Sequence, residues 1–219
     1  MIRRQWSSGA SFWARLAIGG ILVYVAIDIA LVFLRPHLSV LHDAESDYGS
    51  KGRYAWLMDV NFLLRAALSL AAIRALYLAA GAKGRMLVAL TLLGVWAVCS
   101  GALAFFADNP VGTPLHGSGR VHLALALVAF LAVLVGTLAA SFALRCMPPF
   151  QAAGRWLLKT AVLAIVPLLL LGHAHLRTHS LGGLYEKLFL AIELAWLGLA
   201  AWLAARATPA GQDPAPQPA

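Results

Sequence analysis

Six apolar runs, at 16–34, 55–78, 86–107, 121–144, 157–176 and 184–205, constrain this chain more than any other feature. Each is long enough to cross a bilayer core, which takes about 20 residues of helix. Backbone in hydrocarbon finds no water to bond with, so such runs must be helices that satisfy their own N–H and C=O groups. The expected fold is therefore all-α: an integral membrane bundle of six transmembrane helices over residues 1–206. With 61% hydrophobic and 12% charged residues, little of the 219-residue chain is left for a soluble domain. Residues 207–219, rich in Pro and Ala, cannot bury a core and are expected to be a disordered tail.

Arg3, Arg4 and Arg15 ahead of the first run resemble the start of a signal peptide. The run, however, exceeds the usual apolar region of about 7–15 residues and no small-x-small cleavage site follows, so an uncleaved first helix is expected. Cys99 lies within a span and Cys146 in a loop, at different depths, which offers no disulfide or CxxC framework. The net charge of +8 is spread over short loops, with no folded basic domain to bind nucleic acid.

Topology accounts for that charge. Lys and Arg accumulate on the cytoplasmic side. With the N-terminus inside, ten basic residues flank the cytoplasmic ends, among them Arg74, Lys83, Arg85, Arg145 and Arg155, against six on the other side, Arg35, Lys51, Arg53, Arg120, Arg177 and Lys187. Both termini are thus expected in the cytoplasm and the protein in the cell membrane. On that assignment Asp43, Glu45, Asp47, Asp108, Glu186 and all seven histidines fall on the extracytoplasmic side or at its edge. Any chemistry is expected there.

Charges inside the spans are the next constraint, because an ionised side chain at a helix centre costs roughly 2.5–3.5 kcal/mol on insertion scales and avoids lipid. Asp59 and Arg65 both lie in the second span, at about 6 and 15 Å depth from the rise per residue. At 100° per residue Asn61 and Arg65 share a face, whereas Asp59 is about 120° away, so Asp59 and Arg65 are not natural partners. Asp28 in the first span and Glu193 in the sixth are the intramembrane acids available, and depth matches Glu193 to Arg65. Tyr24, one turn from Asp28, can donate to it. Two readings follow: a structural Arg65–Glu193 ion pair, or an outward-opening polar cavity with Arg65 and Glu193 at its floor and Asp28, Asp59 and Asn61 in its walls, which takes a substrate carboxylate or phosphate on the guanidinium fork.

"DNPVGTPLHGSGRVH" brings Asp108, His116 and His122 into one loop and helix start, and "HAHLRTH" adds His173, His175 and His179. Neutral imidazoles with a carboxylate are the donors zinc prefers, with one position left for water. The spacing matches no HExxH motif. Zinc held by Asp108, His116, His122, His173 and His175 is the metal expectation; haem would need His122 and His173 to face one another and has no CxxCH motif behind it. No GxSxG elbow supports serine catalysis. Gly19, Gly20, Gly94, Gly101, Gly136 and Gly198 read as helix-packing surfaces, the glycines of "HGSGR" as a tight turn before the fourth span, and Pro167 as a kink in the fifth.

The stretches "LHDAESDYGSKGRYAWLMDVNF" and "AFFADNPVGTPLHGSGRVHLALALVAF" resemble the domain-of-unknown-function 998 family of multi-helix membrane proteins. Ser46, Gly49, Trp56, Asp108, His116 and His122 stand at that family's motif positions. "FFADNP" replaces its more usual Phe-Pro pair, and Asp59 and Arg65 are additions. The resemblance implies the topology and an outer polar cluster, and no activity. Three functions remain in view. One is a metal-assisted hydrolase of a lipid-like substrate, with Asp59 or Glu186 as the base on metal-bound water. The second is a transporter or proton-coupled carrier using Asp28, Arg65 and Glu193. The third is a scaffold in which the charges pair helices. The lipid bilayer is the partner common to all, and a lipid or small amphiphile is the expected substrate.

Overall fold

The computed structural model describes residues 2–110, 113–174 and 180–207. The tail from 208 onward, His175 and His179 lie outside the described residues. Six helices form the fold: α1 (Ile2–Leu34), α2 (Ala55–Ala80), α3 (Arg85–Leu103), α4 (Gly117–Leu144), α5 (Gln151–Ala174) and α6 (Gly182–Arg206). All six are long and apolar enough to cross a membrane. No strand occurs among the described residues.

Each helix packs on its neighbours in sequence, and α6 closes the ring against α1 and α2. Ser11 Oγ donates to the Ala205 carbonyl at 3.2 Å, which ties the start of α1 to the end of α6 and sets both chain ends at one end of the bundle. The opposite end carries the connections 35–54 and 104–116; we call it the loop end. Large apolar side chains point outward around the ring, among them Phe33, Val98, Leu127 and Leu169. In water such a surface would aggregate; in a bilayer it is the solvent-facing side. Trp56 and Trp156 are exposed near span ends, as an interfacial aromatic belt requires.

Small residues set the helix spacing. A Cβ on Gly20 would lie 2.8 Å from Leu68 Cβ, one on Gly101 3.2 Å from Ala66 Cβ, and one on Gly136 3.2 Å from the Leu92 and Leu93 side chains. These glycines allow the backbone approach by which helices associate without a hydrophobic driving force. Gly19 and Gly94 meet nothing within 4 Å and are not packing positions within this chain.

Of the boundaries that differ from the apolar runs, two shape the loop end. α3 ends at Leu103, not 107, because three-residue turns tighten its end: Ala104, Phe105 and Phe106 N–H donate to Gly101, Ala102 and Leu103. α4 begins at Gly117, four residues before the apolar run. Ser118 Oγ donates to the Ala107 carbonyl at 2.8 Å, so "HGSGR" opens a helix and does not form a free turn.

Candidate functional site

The 35–54 connection is folded back into the bundle, and Arg35 is the reason. Placed one residue beyond α1 and nearly buried, it donates to the carbonyls of Asp47 (3.2 Å), Tyr48 and Lys51. Three backbone carbonyls that would otherwise face water or lipid are satisfied by one guanidinium, and the chain is drawn across the helix end. From the other side, Leu184 N–H donates to the Leu41 carbonyl at 3.0 Å and Lys187 Nζ to that of Asp43 at 2.7 Å. Ser46 Oγ donates to Asp108 at 3.0 Å. The short 3-10 turn Ser46–Gly49 buries Tyr48 and Gly49 against Met58 and Phe62.

This fold carries Glu45 inside, where it is 4% exposed. Its Oε1 lies 3.5 Å from Arg65 Nη1 and accepts from the Tyr24 hydroxyl. Arg65 Nη1 also donates to Tyr24 Oη at 3.3 Å. The Arg65 guanidinium carbon sits 5.1 Å from the Phe62 ring centre, 4.9 Å from Trp96 and 5.9 Å from Tyr24. Ring faces hold a desolvated cation at about 2 kcal/mol or more each way the geometry is good. Trp96 is in turn fixed by its Nε1–H to Ser69 Oγ at 2.9 Å, and Ser69 donates back to the Arg65 carbonyl at 2.7 Å. Beside this group, Asn61 Nδ2 donates to Asp28 Oδ1 at 2.7 Å and lies 3.4 Å from the Tyr24 carbonyl.

Two expected pairings are corrected. Arg65 pairs with Glu45, not with Glu193: among the described residues both Glu193 carboxyl oxygens are buried without a hydrogen-bond partner, and the hydroxyl facing them, Thr137, donates to its own helix at Leu134. Depth matching had compared span residues alone, and a loop that dips inward supplied the acid. Tyr24 likewise bonds Glu45 through its hydroxyl, leaving Asp28 to Asn61.

Of the remaining candidates, Glu186 is buried at the start of α6 within electrostatic reach of Glu45 and Lys187, and Asp59 lies partly exposed within reach of His122. His122 Nδ1 is 2.7 Å from the Phe106 carbonyl, so that nitrogen carries the proton. Its Nε2 is 3.9 Å from Asp108 Oδ2 with no hydrogen-bond partner. His116 instead turns to Asn109, which accepts its backbone N–H at 2.9 Å, and His173 is exposed at the end of α5. Among the described residues no three His, Cys, Asp or Glu side chains converge as a cation cage. For haem, the expected pair has one ring buried and the other exposed.

Between α1 and α6, at the loop end, lies a cavity of about 240 Å³. Its polar end is formed by Tyr24, Asp28, Glu45, Tyr48 and Lys187; its walls are aliphatic, including Val25, Ile29 and Ala191. These three are exposed on the bundle's outer face, so the cavity opens sideways between the helices. Lys187, Leu190, Ala191 and Leu194 follow the i, i+3, i+4, i+7 rule and present one face of α6 to it.

Asp47, within the folded loop, has its carboxyl pushed up to about 6 by burial, with Asp108 and Asp43 adding to the rise against the hydrogen bond from Ala44 N–H. The folded state therefore holds this proton to higher pH than the unfolded chain does, where a value near 3.8 applies. Loop stability should be greatest below about pH 4 as far as this group is concerned, and fall as pH rises through about 6. Hydrogen exchange of the 38–50 amides between pH 4 and 7, corrected for intrinsic rates, checks this: opening should become easier with pH, and Asp47→Asn should flatten the slope.

A family model described as "Protein of unknown function (DUF998)" matches residues 17–203. No curated protein and no solved structure matches the chain.

Proposed function

We propose that this chain, which belongs to the DUF998 family, is a multi-pass membrane protein that takes the head of a small amphiphile or lipid from the bilayer into the space between α1 and α6, as a binding protein or carrier. The observation that carries this is the cavity of about 240 Å³ with a polar end and a sideways aliphatic mouth. A water-soluble substrate has no use for walls that face hydrocarbon. The charge bias of the loops supports an extracytoplasmic loop end, cytoplasmic termini and residence in the cell membrane.

The carrier reading is favoured over the hydrolytic one by where the cavity lies. The cavity is lined by Asp28 and Lys187, whereas His122 and Asp108 approach each other elsewhere, behind the 104–116 connection. Arg65 changes role in this proposal. Enclosed by the rings of Tyr24, Phe62 and Trp96 and by Glu45, it is a strut holding the loop down, not the floor of the site. Asp28, Asn61 and Lys187 contact the ligand head or orient what does.

The test is photolabelling in bilayers with a lipid analogue bearing a diazirine near its head. Labelling should concentrate on α1 and α6 and fall at least fivefold in Ala191→Trp, which fills the mouth from an exposed position. Equal labelling of all six helices, unchanged by Ala191→Trp, would overturn the reading.

A further inference from the structure

The cavity's polar end holds an acid, Asp28, and a base, Lys187, that are not joined to one another, and this names the ligand. Among the described residues Asp28 receives one donor, Asn61 on Oδ1 at 2.7 Å, which leaves Oδ2 open. Lys187 spends one N–H on the Asp43 carbonyl at 2.7 Å and keeps two. Asp28 and Lys187 line one space without closing an ion pair, the one Lys or Arg ion pair among the described residues being Arg65–Glu45. Tyr48 lines the same space and sets its ring beneath Lys187, 5.4 Å from Nζ to the ring centre, which helps to hold the ammonium in place. Glu45 lines the cavity too, but Arg65 and Tyr24 already occupy it.

We infer that the cavity receives a zwitterionic phospholipid head, its ammonium on Asp28 and its phosphate on Lys187. This rests on the proposed uptake between α1 and α6. A ligand with phosphate alone leaves Asp28 Oδ2 without a donor; one with ammonium alone leaves Lys187 without an acceptor. The volume, below the roughly 300–1,000 Å³ of pockets for drug-sized ligands, suits a head with the first acyl carbons along Val25 and Ile29 while the tails stay in the bilayer.

Native mass spectrometry of the detergent-purified full chain, titrated separately with dioleoyl phosphatidylethanolamine and dioleoyl phosphatidylglycerol, tests this. The two share tails and phosphate, and only the first has an ammonium. Wild type should hold the ethanolamine lipid about tenfold more tightly, the ratio a single charge-assisted contact supplies. Asp28→Asn should bring the ratio to about one, and Lys187→Gln should weaken both lipids. A ratio near one in wild type, or one unchanged in Asp28→Asn, overturns the head assignment. Water-soluble phosphoethanolamine at equal concentration should not displace the lipid; full displacement would assign the site to a soluble phosphate ester. Ala191→Trp, with Val25→Trp as a second cavity-filling variant, separates the two levels. If both lipids survive these changes, uptake between α1 and α6 fails; if both are lost yet wild type shows no preference, only the head assignment fails.

Discussion

Glu45→Ala should lower the unfolding free energy of the purified protein by about 3–5 kcal/mol, the range seen when one member of a buried ion pair is removed. Arg65 is then left at 2% side-chain exposure with no carboxylate within 4 Å among the described residues. Its rings cannot replace a counter-charge, and Tyr24 loses its acceptor in the same step. The size of this loss is not the net worth of the pair. Replacing both, as Glu45→Leu with Arg65→Met, removes two desolvated charges together and should recover most of the stability, because the desolvation cost disappears with the attraction. A double-mutant cycle in detergent, read by urea unfolding, therefore expects a strong coupling between positions 45 and 65 and a coupling near zero between 65 and 193. The reverse pattern would restore the depth-matched pairing of Arg65 with Glu193.

Contrasting outcomes at these positions show what the sequence can carry. The spans were legible because crossing a bilayer sets both length and apolarity, and six runs met both conditions. The shared face of Asn61 and Arg65 was legible too, since helical angle depends on residue number alone. Both side chains are buried in the structure. Pairing across elements was not legible. Depth arguments assume that loop acids stay at the surface, and "HDAESDYGS" gives no periodicity to contradict that assumption. Glu45 and Tyr48 were missed for the same reason: what brings them inward is Arg35, whose bonds go to backbone carbonyls and leave no mark on side-chain patterning. One signal was present, namely Lys187 on a single face with Leu190, Ala191 and Leu194. The start of α4 was misread because glycine has two uses. "HGSGR" looked like a turn, yet Gly119 is small because Asn109 Oδ1 would lie 2.0 Å from any Cβ placed there.

Gly183→Ala should unseat the folded loop. A Cβ at Gly183 would stand 2.1 Å from the Asp43 carbonyl oxygen and 2.9 Å from its nitrogen, a clash with backbone that no side-chain rotamer can relieve. Either α6 or the loop must move. The two bonds across that contact, Leu184 N–H to Leu41 and Lys187 Nζ to Asp43, move with it. Overpacking of this kind costs about 1–3 kcal/mol, and each lost hydrogen bond adds about 0.5–1.5 kcal/mol. Together they approach the cost of removing Glu45 but fall on a different element. The expected result is faster proteolytic nicking within 38–54 and lower unfolding stability, with the α1–α6 lipid site weakened because Lys187 is no longer fixed. Gly182→Ala is the matched control, since its Cβ would meet only Ser180 Oγ at 3.5 Å and Ala174 Cβ at 3.8 Å, ordinary contact distances. If the two substitutions nick at equal rates, the loop is not held by its approach to α6, and the anchoring of the site would rest on Arg35 and Glu45 alone.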